Sequence, residues 1–326
     1  MITTKDKRAV SKILGSDWIA GNGETVEEFE AAIAEYTGYK YAIAVNSATS
    51  GLFVAYSVVF PYIGIPQGQA LSMPANTFVA TANMAIAAGY KVKLVDTDVD
   101  GILRDRITHV SVTYSGNPEP QGIVGDDAHY VMRNMAQRSQ LVSVLSTHAI
   151  KPITTGEGGV ILTNDSVLHD KMRKMADHGR SKDGLGFGYN FRMPAINAAF
   201  GLSQLLAADE NLETRKAIAS MYHNQLRDIL PVQRPVWHDN HCWHLYPIRV
   251  EDQTTRDRLR QFLFDNNIGT QVNYVALDTY DHIEEREYQQ NAREYARYSL
   301  SIPMSAAMTQ EDAQYVIDTI KEFYNA

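Results

Sequence analysis

Short apolar runs alternate with segments of helical periodicity over the first two thirds of the chain. Apolar runs bounded by turn residues are typical of buried strands, whereas apolar positions three or four residues apart indicate helices. Strands are predicted at residues 41–45, 70–73, 91–95, 110–114, 123–125, 141–145 and 159–163. Helices are predicted from a Thr25–Glu28 capping box to Gly38, and at 51–60, 77–88 and 166–176. This alternation predicts an α/β fold whose mostly parallel sheet carries ligands at the carboxyl ends of its strands.

The pattern changes after Pro194, where one long helical segment runs from Ala195 to about residue 230 and is ended by Pro231. Strands at 243–250, 269–274 and 300–302 follow, with helices at 254–266 and from 309, the latter capped by Asp312. These elements predict a smaller α+β domain. We place the boundary within the long helix, with a large domain at residues 1–205 and a small domain at 206–326.

Composition narrows the classes of function. The 326 residues include 30 Lys plus Arg against 38 Asp plus Glu, a formal charge of −8. This balance argues against a nucleic-acid-binding protein, which needs a basic surface. Cys242 is the only cysteine, so an internal disulfide framework and a cysteine-based zinc site are excluded, and we expect no metal. The first residues contain no apolar segment after their charges, so we expect no signal peptide and a cytoplasmic protein.

Residues 41–90 contain no charged side chain. A membrane-spanning helix needs about 20 consecutive apolar residues, and this segment is interrupted by Pro61, Pro66 and Pro74. It is interpreted as the buried centre of an α/β domain or as a face covered by a partner subunit.

Lys151 is the first candidate for chemistry because it closely follows a predicted buried strand and precedes small residues. Removal of such a lysine from water lowers its pKa and produces a nucleophilic amine. Taken alone, a solvated loop lysine is the commoner situation.

Asp126 is the second candidate, in the run Asp126-Asp127-Ala128-His129 at the end of another predicted strand. A buried carboxylate at this position needs a cationic partner, and a protonated ring nitrogen would serve. The alternative is that one of the two aspartates only caps the following segment.

The run from Asn46 to Gly51 is the third candidate. Backbone N–H groups at a helix N-terminus, together with the hydroxyls of Ser47 and Thr49, form a natural phosphate site, although an ordinary helix cap has the same spacing. An amine, a buried carboxylate and a phosphate site at successive strand ends match the requirements of pyridoxal 5'-phosphate (PLP). Phe78 could stack on the ring or belong to the core, and His129 could tune the cofactor or be an ordinary core histidine.

Several runs resemble the DegT/DnrJ/EryC1/StrS family of nucleotide-sugar aminotransferases. The most specific is Ser146-Thr147-His148-Ala149-Ile150-Lys151 with the following Thr-Thr-Gly-Glu-Gly-Gly. The others are the runs at 46–52, 126–129, 188–193, 243–246 and 299–303. The resemblance runs in family order from about Trp18 to the C-terminus. It implies a type I PLP-dependent fold, like that of aspartate aminotransferase, and a homodimer with active sites at the subunit interface.

The resemblance also implies roles for individual residues. Lys151 would form the Schiff base with the cofactor and carry protons, and Asp126 would pair with the pyridinium nitrogen. The phosphate would be held by Ala48, Thr49 and Ser146, and Phe78 would stack on the ring. Asn190 would reach the phosphate of the neighbouring subunit's cofactor. The spacing Asp-x-x-His selects Asp126 over Asp127.

The sequence departs from the family pattern at three places. Thr147 stands where the family usually has Phe, and the family's His-Tyr-x-Pro-Leu-His is replaced by the run 273–278, which has lost both histidines and the proline. Between the strands predicted at 110–114 and 123–125 only a short link remains where relatives have a helix, and a parallel crossover normally needs about a dozen residues or more. Either the link crosses without a helix or one strand is assigned wrongly.

The function predicted from the sequence is transfer of an amino group from an amino acid, by resemblance glutamate, to a nucleotide-linked keto-sugar. Lys151 argues against the dehydratases of the family, which carry His at that position. A different PLP enzyme, such as a sugar dehydratase or an amino-acid lyase, and a non-catalytic PLP-binding regulator are the alternatives.

Overall fold

The computed structural model describes residues 2–16, 18–104, 106–182, 184–229, 231–284 and 287–325. Its strands are β1 (Tyr41–Val45), β2 (Ala70–Pro74), β3 (Lys91–Val95), β4 (Ile107–Val112), β5 (Gln121–Asp126), β6 (Val142–Ser146), β7 (Gly159–Thr163), β8 (Tyr246–Arg249) and β9 (Ser299–Ile302). Its helices are α1 (Thr4–Leu14), α2 (Glu24–Thr37), α3 (Ala48–Tyr62), α4 (Ala80–Ala87), α5 (Ser166–Ala176), α6 (Ala195–Leu205), α7 (Ala208–Gln225), α8 (Gln253–Asp265), α9 (Gln290–Tyr298) and α10 (Gln310–Asn325).

The central sheet has five strands in the order β1-β7-β6-β5-β4. Strands β4, β5 and β6 are parallel neighbours, and β7 runs antiparallel to both β6 and β1. The sheet is therefore mostly parallel, as predicted. Its strands are almost completely buried because helices cover them, which explains why the segments read as continuous apolar runs.

The parallel pair β2–β3 forms a separate two-stranded sheet. It lies beside β4 and is joined to that strand by hydrogen bonds that involve side chains. The backbone N–H of Ser72 donates to His109 Nδ1 at 3.1 Å, and the backbone N–H of His109 donates to the Ser72 hydroxyl at 3.0 Å. The two side chains thus replace the ladder bonds that β2 and β4 would otherwise form.

The uncharged segment 41–90 supplies much of the core beside this sheet. In α3, Val54, Tyr56 and Phe60 are completely buried against strand residues such as Leu71. Of the two interpretations of the uncharged segment, these residues fit the buried centre of an α/β domain and not a face covered by a partner subunit.

The last third of the chain builds a separate apolar cluster around the antiparallel pair β8–β9. Trp243 and Leu259 are fully buried there with side chains of α7 and α10. The proposed division into domains at residue 205 stays a prediction. In the part of the chain that the structure describes, no helix is long and apolar enough to cross a membrane.

One predicted helix signal, the Thr25–Glu28 capping box, is wrong. Helix α2 begins at Glu24 with Gly23 as its N-cap, so Thr25 lies inside the first turn and does not cap the helix. The capping box belongs instead to α1, a helix that the sequence pattern does not predict, where the side chains of Thr3 and Asp6 each accept a hydrogen bond from the other residue's backbone N–H. The predicted end of α2 at Gly38 is confirmed, since that glycine adopts φ 79°.

The long helix predicted from Ala195 is interrupted. It is divided into α6 and α7 at residues 206–207, where the Leu206 side chain is 84% exposed. Helix α7 ends at Gln225, five residues before the predicted end near residue 230, which itself lies outside the described residues. Residues 269–274 form no strand, because Gln271 makes only an isolated bridge to Ser301.

The short link between β4 and β5 crosses without an α-helix. Both strands exist and are parallel neighbours, although β4 begins three residues before its predicted start, and the link contains only a 3-10 turn at Tyr114–Gly116. Part of the space that a helix would fill is taken by residues from far along the chain. The N–H of Cys242 donates to Gly116 O, and the N–H of Leu245 donates to Ser115 O.

Candidate active site

A cavity of about 330 Å³ lies where β5 and β6 end and α3 begins. Residues from all three thirds of the chain line it, so it collects residues that are distant in sequence. It brings together the predicted residues Ser47, Ala48, Thr49, Phe78, Asp126, His129, Ser146 and Lys151. His148, Glu157, His244, Gln271, Asn273 and Tyr274 are also in its lining.

Lys151 lies in the loop after β6 and directs its amine into the cavity. Its Nζ is 3.3 Å from His244 Nε2. Removal from water lowers the pKa of this amine to about 8, although the Asp126 charge acts in the opposite direction. About a tenth of the amine is therefore unprotonated and nucleophilic at pH 7, far more than for a lysine with its ordinary pKa.

Asp126 is the last residue of β5 and is buried in the cavity wall. Its Oδ2 accepts a hydrogen bond from the Thr81 hydroxyl at 2.6 Å, and its Oδ1 accepts one from the Ala128 N–H at 3.2 Å. Neither of these partners is cationic, and burial raises the pKa of the carboxyl. The site thus offers a buried carboxylate that a cation in the cavity would stabilise.

Asp127 belongs to a different environment. Its carboxylate accepts hydrogen bonds from Arg138 at 2.6 Å, Ser143 at 2.6 Å and Gln140 at 3.1 Å, and it is not part of the cavity lining. Neighbouring residues at a strand end point to opposite faces, so one aspartate faces the cavity and the other completes a buried ion pair.

His129 is fixed between two hydrogen bonds. Its Nδ1 accepts from the backbone N–H of Ser115 at 3.2 Å, so the proton is assigned to Nε2, which lies 2.9 Å from the Tyr274 hydroxyl. Burial, reinforced by the Lys151 charge, lowers the pKa of His129 well below its ordinary value. His129 is therefore a neutral ring that positions Tyr274 in the cavity wall.

The N-terminus of α3 forms one end of the cavity. Ser47 is the N-cap and its hydroxyl accepts the N–H of Ser50 at 3.1 Å. The N–H groups of Ala48 and Thr49 belong to the first turn, where they have no partner within the helix. A Cβ on Gly159 would lie 2.5 Å from the Ala48 nitrogen, so only glycine allows β7 to approach the helix end this closely. The arrangement suits an anion.

Ser146 and Phe78 complete the predicted set. Ser146 ends β6 and its hydroxyl accepts the N–H of His148 at 3.3 Å. The Phe78 side chain is 56% exposed and its ring lies 5.6 Å from that of Tyr274, so it stands at the cavity rather than in the core.

Asn190 lies apart from the other predicted residues. It is exposed, pairs with Asp177 in an isolated bridge, and is not in the cavity lining of its own chain. Its predicted contact with the cofactor of a neighbouring subunit stays a prediction.

Two of the departures from the family pattern, Thr147 and the run 273–278, affect different parts of the structure. Thr147 is buried behind the cavity, and its hydroxyl lies 2.7 Å from that of Thr155, which fixes the loop that carries Lys151. Asp278 accepts hydrogen bonds from Arg293 at 2.7 Å and from the Gln289 N–H at 3.0 Å, so it anchors the start of α9. Only Asn273 and Tyr274 of this altered run line the cavity.

Three contacts were missed from the sequence: Thr81 on Asp126, His244 beside Lys151, and Tyr274 on His129. His244 belongs to a run that carried the family resemblance, which was its only signal. The positions of Thr81 and Tyr274 depend on long-range packing that no local pattern reports.

The fold and the matched segments agree with known proteins. The model of the DegT/DnrJ/EryC1/StrS aminotransferase family matches residues 1–108 and 125–321, so the short link between β4 and β5 falls in the gap between the matches. The structure is similar to that of PseC from Helicobacter pylori, an aminotransferase involved in the biosynthesis of pseudoaminic acid, with 28% identity, a TM-score of 0.90, and coverage of 100% of this chain and 97% of that one.

Two other structures extend the comparison. The sugar aminotransferase CalS13 from Micromonospora echinospora is 25% identical, with a TM-score of 0.86 and coverage of 99% of this chain and 98% of that one. The PLP-form of Spr1654 from Streptococcus pneumoniae shares the fold at 20% identity, with a TM-score of 0.86 and coverage of 100% of this chain and 97% of that one. The family match spans most of the sequence and includes the residues that build the cavity. The chain belongs to the DegT/DnrJ/EryC1/StrS aminotransferase family.

Proposed function

We propose that this protein is a PLP-dependent aminotransferase that transfers the amino group of an amino acid, with L-glutamate as donor, to the keto group of a nucleotide-linked sugar. The observation that carries the proposal is the arrangement of one cavity. A buried amine with a lowered pKa, a buried carboxylate whose hydrogen-bond donors among the described residues are uncharged, and a helix N-terminus all face the same space.

The residues present fit the cofactor. The N–H groups of Ala48 and Thr49, with the hydroxyls of Ser47 and Ser146, would hold the phosphate. Asp126 would hold the proton of the ring nitrogen, and Phe78 would stack on the ring. PLP supplies an aldehyde that condenses with amines and a ring that withdraws electrons from the carbon next to the nitrogen.

Lys151 performs the proton transfers in this proposal. Its Nζ removes the proton from the α-carbon of the donor and later delivers a proton to the sugar carbon that receives the nitrogen. The lowered pKa suits both roles, because in each half of the reaction the same group must accept a proton as a base and return one as an acid. Neutral His129 holds Tyr274 over the cavity and adds no positive charge to compete for Asp126.

The proposal includes a homodimer. Asn190 is exposed and next to exposed apolar side chains, with Phe187 79% and Leu185 71% accessible. A second copy that covers this segment would bring Asn190 to the phosphate end of its neighbour's cavity. Loss of PLP affinity in Asn190→Ala together with a dimeric mass by light scattering would support this arrangement.

A panel of nucleotide-linked keto-sugars, incubated with the purified protein, PLP and glutamate, tests the function. We expect 2-oxoglutarate and a sugar product whose mass corresponds to replacement of the keto oxygen by an amino group. Sugar products without added nitrogen would instead indicate a dehydratase. Tight PLP binding without 2-oxoglutarate from any donor would indicate a regulatory PLP-binding protein, and either result would overturn the proposal.

A further inference from the structure

The histidine beside Lys151 has no assigned role in the proposed function. His244 lies two residues before strand β8, lines the cavity and is 3% exposed. Its Nε2 is 3.3 Å from Lys151 Nζ, within hydrogen-bond distance. The ring also lies 4.4 Å from the ring of His129, measured between centroids.

The backbone around His244 is held on both sides. Arg215 Nη1 donates to the carbonyl of Trp243 at 3.1 Å and to that of His244 at 3.4 Å. The N–H of Leu245 donates to Ser115 O at 3.1 Å, in the short link between β4 and β5. The imidazole therefore reaches Lys151 from a fixed backbone.

The charges around this contact decide which of the two groups donates the hydrogen bond. Burial, with the positive charge of Lys151 and weaker effects of His129 and Arg215, lowers the pKa of His244 well below its ordinary value. The ring is neutral, and a neutral imidazole has one acceptor and one donor nitrogen. Facing an ammonium group, Nε2 is the acceptor, so the proton is assigned to Nδ1.

We propose that His244 is a positioning residue for Lys151: its Nε2 accepts a hydrogen bond from the lysine amine whenever that amine is not bonded to the cofactor. One N–H is then directed toward His244, which turns the lone pair of Nζ toward the rest of the cavity. No covalent step involves the histidine. The part of this proposal that concerns turnover rests on the proposed function, whereas the contact itself does not.

Three variants at one position test the contact in the full chain prepared without cofactor. His244→Leu removes the acceptor, His244→Asn keeps an amide that is too short to reach Nζ, and His244→Gln keeps an acceptor at comparable reach. The pH dependence of trace acetylation, read by peptide mass spectrometry, gives the pKa of Lys151. The exposed amines of Lys40 and Lys91 serve as internal references in the same digest.

We expect the Leu and Asn variants to lower the pKa of Lys151 by about one unit, because the ammonium form loses its acceptor, and the Gln variant to keep the wild-type value. The other groups that face Lys151, namely Asp126, His129, Arg215 and Cys242, are unchanged in all three variants. An unchanged pKa in His244→Leu would overturn the proposal. If that variant does not fold, equal pKa values in the Asn and Gln variants would overturn it.

The loaded enzyme gives a second measurement. We expect kcat for transfer from glutamate to fall about tenfold in the Leu and Asn variants, with KM nearly unchanged and with recovery in His244→Gln. A loss shared by all three variants would indicate a purely structural residue. If the wild-type chain transfers no amino group at all, the proposed function fails, while the acetylation titration still decides whether His244 holds Lys151.

Discussion

The cavity has two walls, and they differ in how well their residues can be predicted from the sequence. The strand-end wall consists of residues 47–49, Asp126, Ser146 and Lys151, which lie at the carboxyl ends of β1, β5 and β6 or within five residues after them. The C-terminal wall consists of five residues from the last third of the chain, namely His244, Leu245, Gln271, Asn273 and Tyr274.

In the proposed function, the strand-end wall contains the groups that carry out the reaction, and the C-terminal wall adjusts them. Parallel strands bring their carboxyl ends to one edge, so the first wall follows from local patterns. The second wall depends on contacts such as that between Tyr274 and His129, which are 145 residues apart in sequence. We therefore expect substitutions in the first wall to abolish turnover and those in the second to change it by smaller factors.

The largest effect is expected for Lys151→Ala. Loss of the amine removes both the covalent attachment of the cofactor and the proton carrier, so kcat should fall by about 10⁴-fold. Steady-state release of 2-oxoglutarate measures this, with the exposed Lys40→Ala as a matched control that keeps activity. Turnover within tenfold of the wild type would place the chemistry elsewhere.

The adjacent aspartates should separate catalysis from stability. Asp126→Asn should lower kcat by about a hundredfold or more, because the ring nitrogen loses its anionic partner. Asp127→Asn should leave kcat nearly unchanged but lower the free energy of unfolding by about 3 kcal/mol, since Arg138 loses its buried partner. Kinetics and urea denaturation of both variants measure this, and the reverse assignment would identify Asp127 as the residue that faces the cofactor.

The buried amine also predicts a pH-dependent stability of the chain without cofactor. The pKa of Lys151 falls from an ordinary value of 10.5 to about 8, so the folded chain binds fewer protons than the unfolded chain between these pH values. Its destabilising effect is full below pH 8 and disappears above pH 10.5. Lys151→Met should therefore be more stable than wild type by about 3 kcal/mol at pH 7, with a smaller difference at pH 9.5. A difference independent of pH would contradict the shifted pKa.

The close approach of β7 to α3 predicts a defect in cofactor binding. The added Cβ of Gly159→Ala would displace the Ala48 N–H, so the Kd for PLP should rise about tenfold. Gly269→Ala is the matched control, because a Cβ at that position meets nothing within 4 Å. Fluorescence titration with PLP measures both, and equal affinities would remove the helix end from the phosphate site.

The smallest effect is expected in the C-terminal wall. Tyr274→Phe keeps the ring but removes the hydroxyl that lies 2.9 Å from His129 Nε2. The free energy of unfolding should fall by about 1 kcal/mol, and PLP affinity should change little. Thermal denaturation and PLP titration of the variant test both statements. A loss of PLP affinity as large as that of Gly159→Ala would show that the two walls are not distinct.

The distinction between local sequence patterns and long-range packing also explains which elements of the fold could be predicted. The strands β1 and β7 and the helix α5 were located accurately because each is a short apolar or amphipathic run with turn residues at its ends. The break of the long helix at Leu206 carries no Gly or Pro signal. The stretch at 269–274 has strand-like composition, but its only sheet-type pairing among the described residues is one bridge, made by Gln271.

Covalent trapping tests the central claim most directly. The protein is incubated with PLP, reduced with sodium borohydride, digested and analysed by peptide mass spectrometry. We predict one pyridoxyl phosphate group attached to Lys151. Attachment to a different lysine, or no attachment while PLP remains bound, would contradict the account.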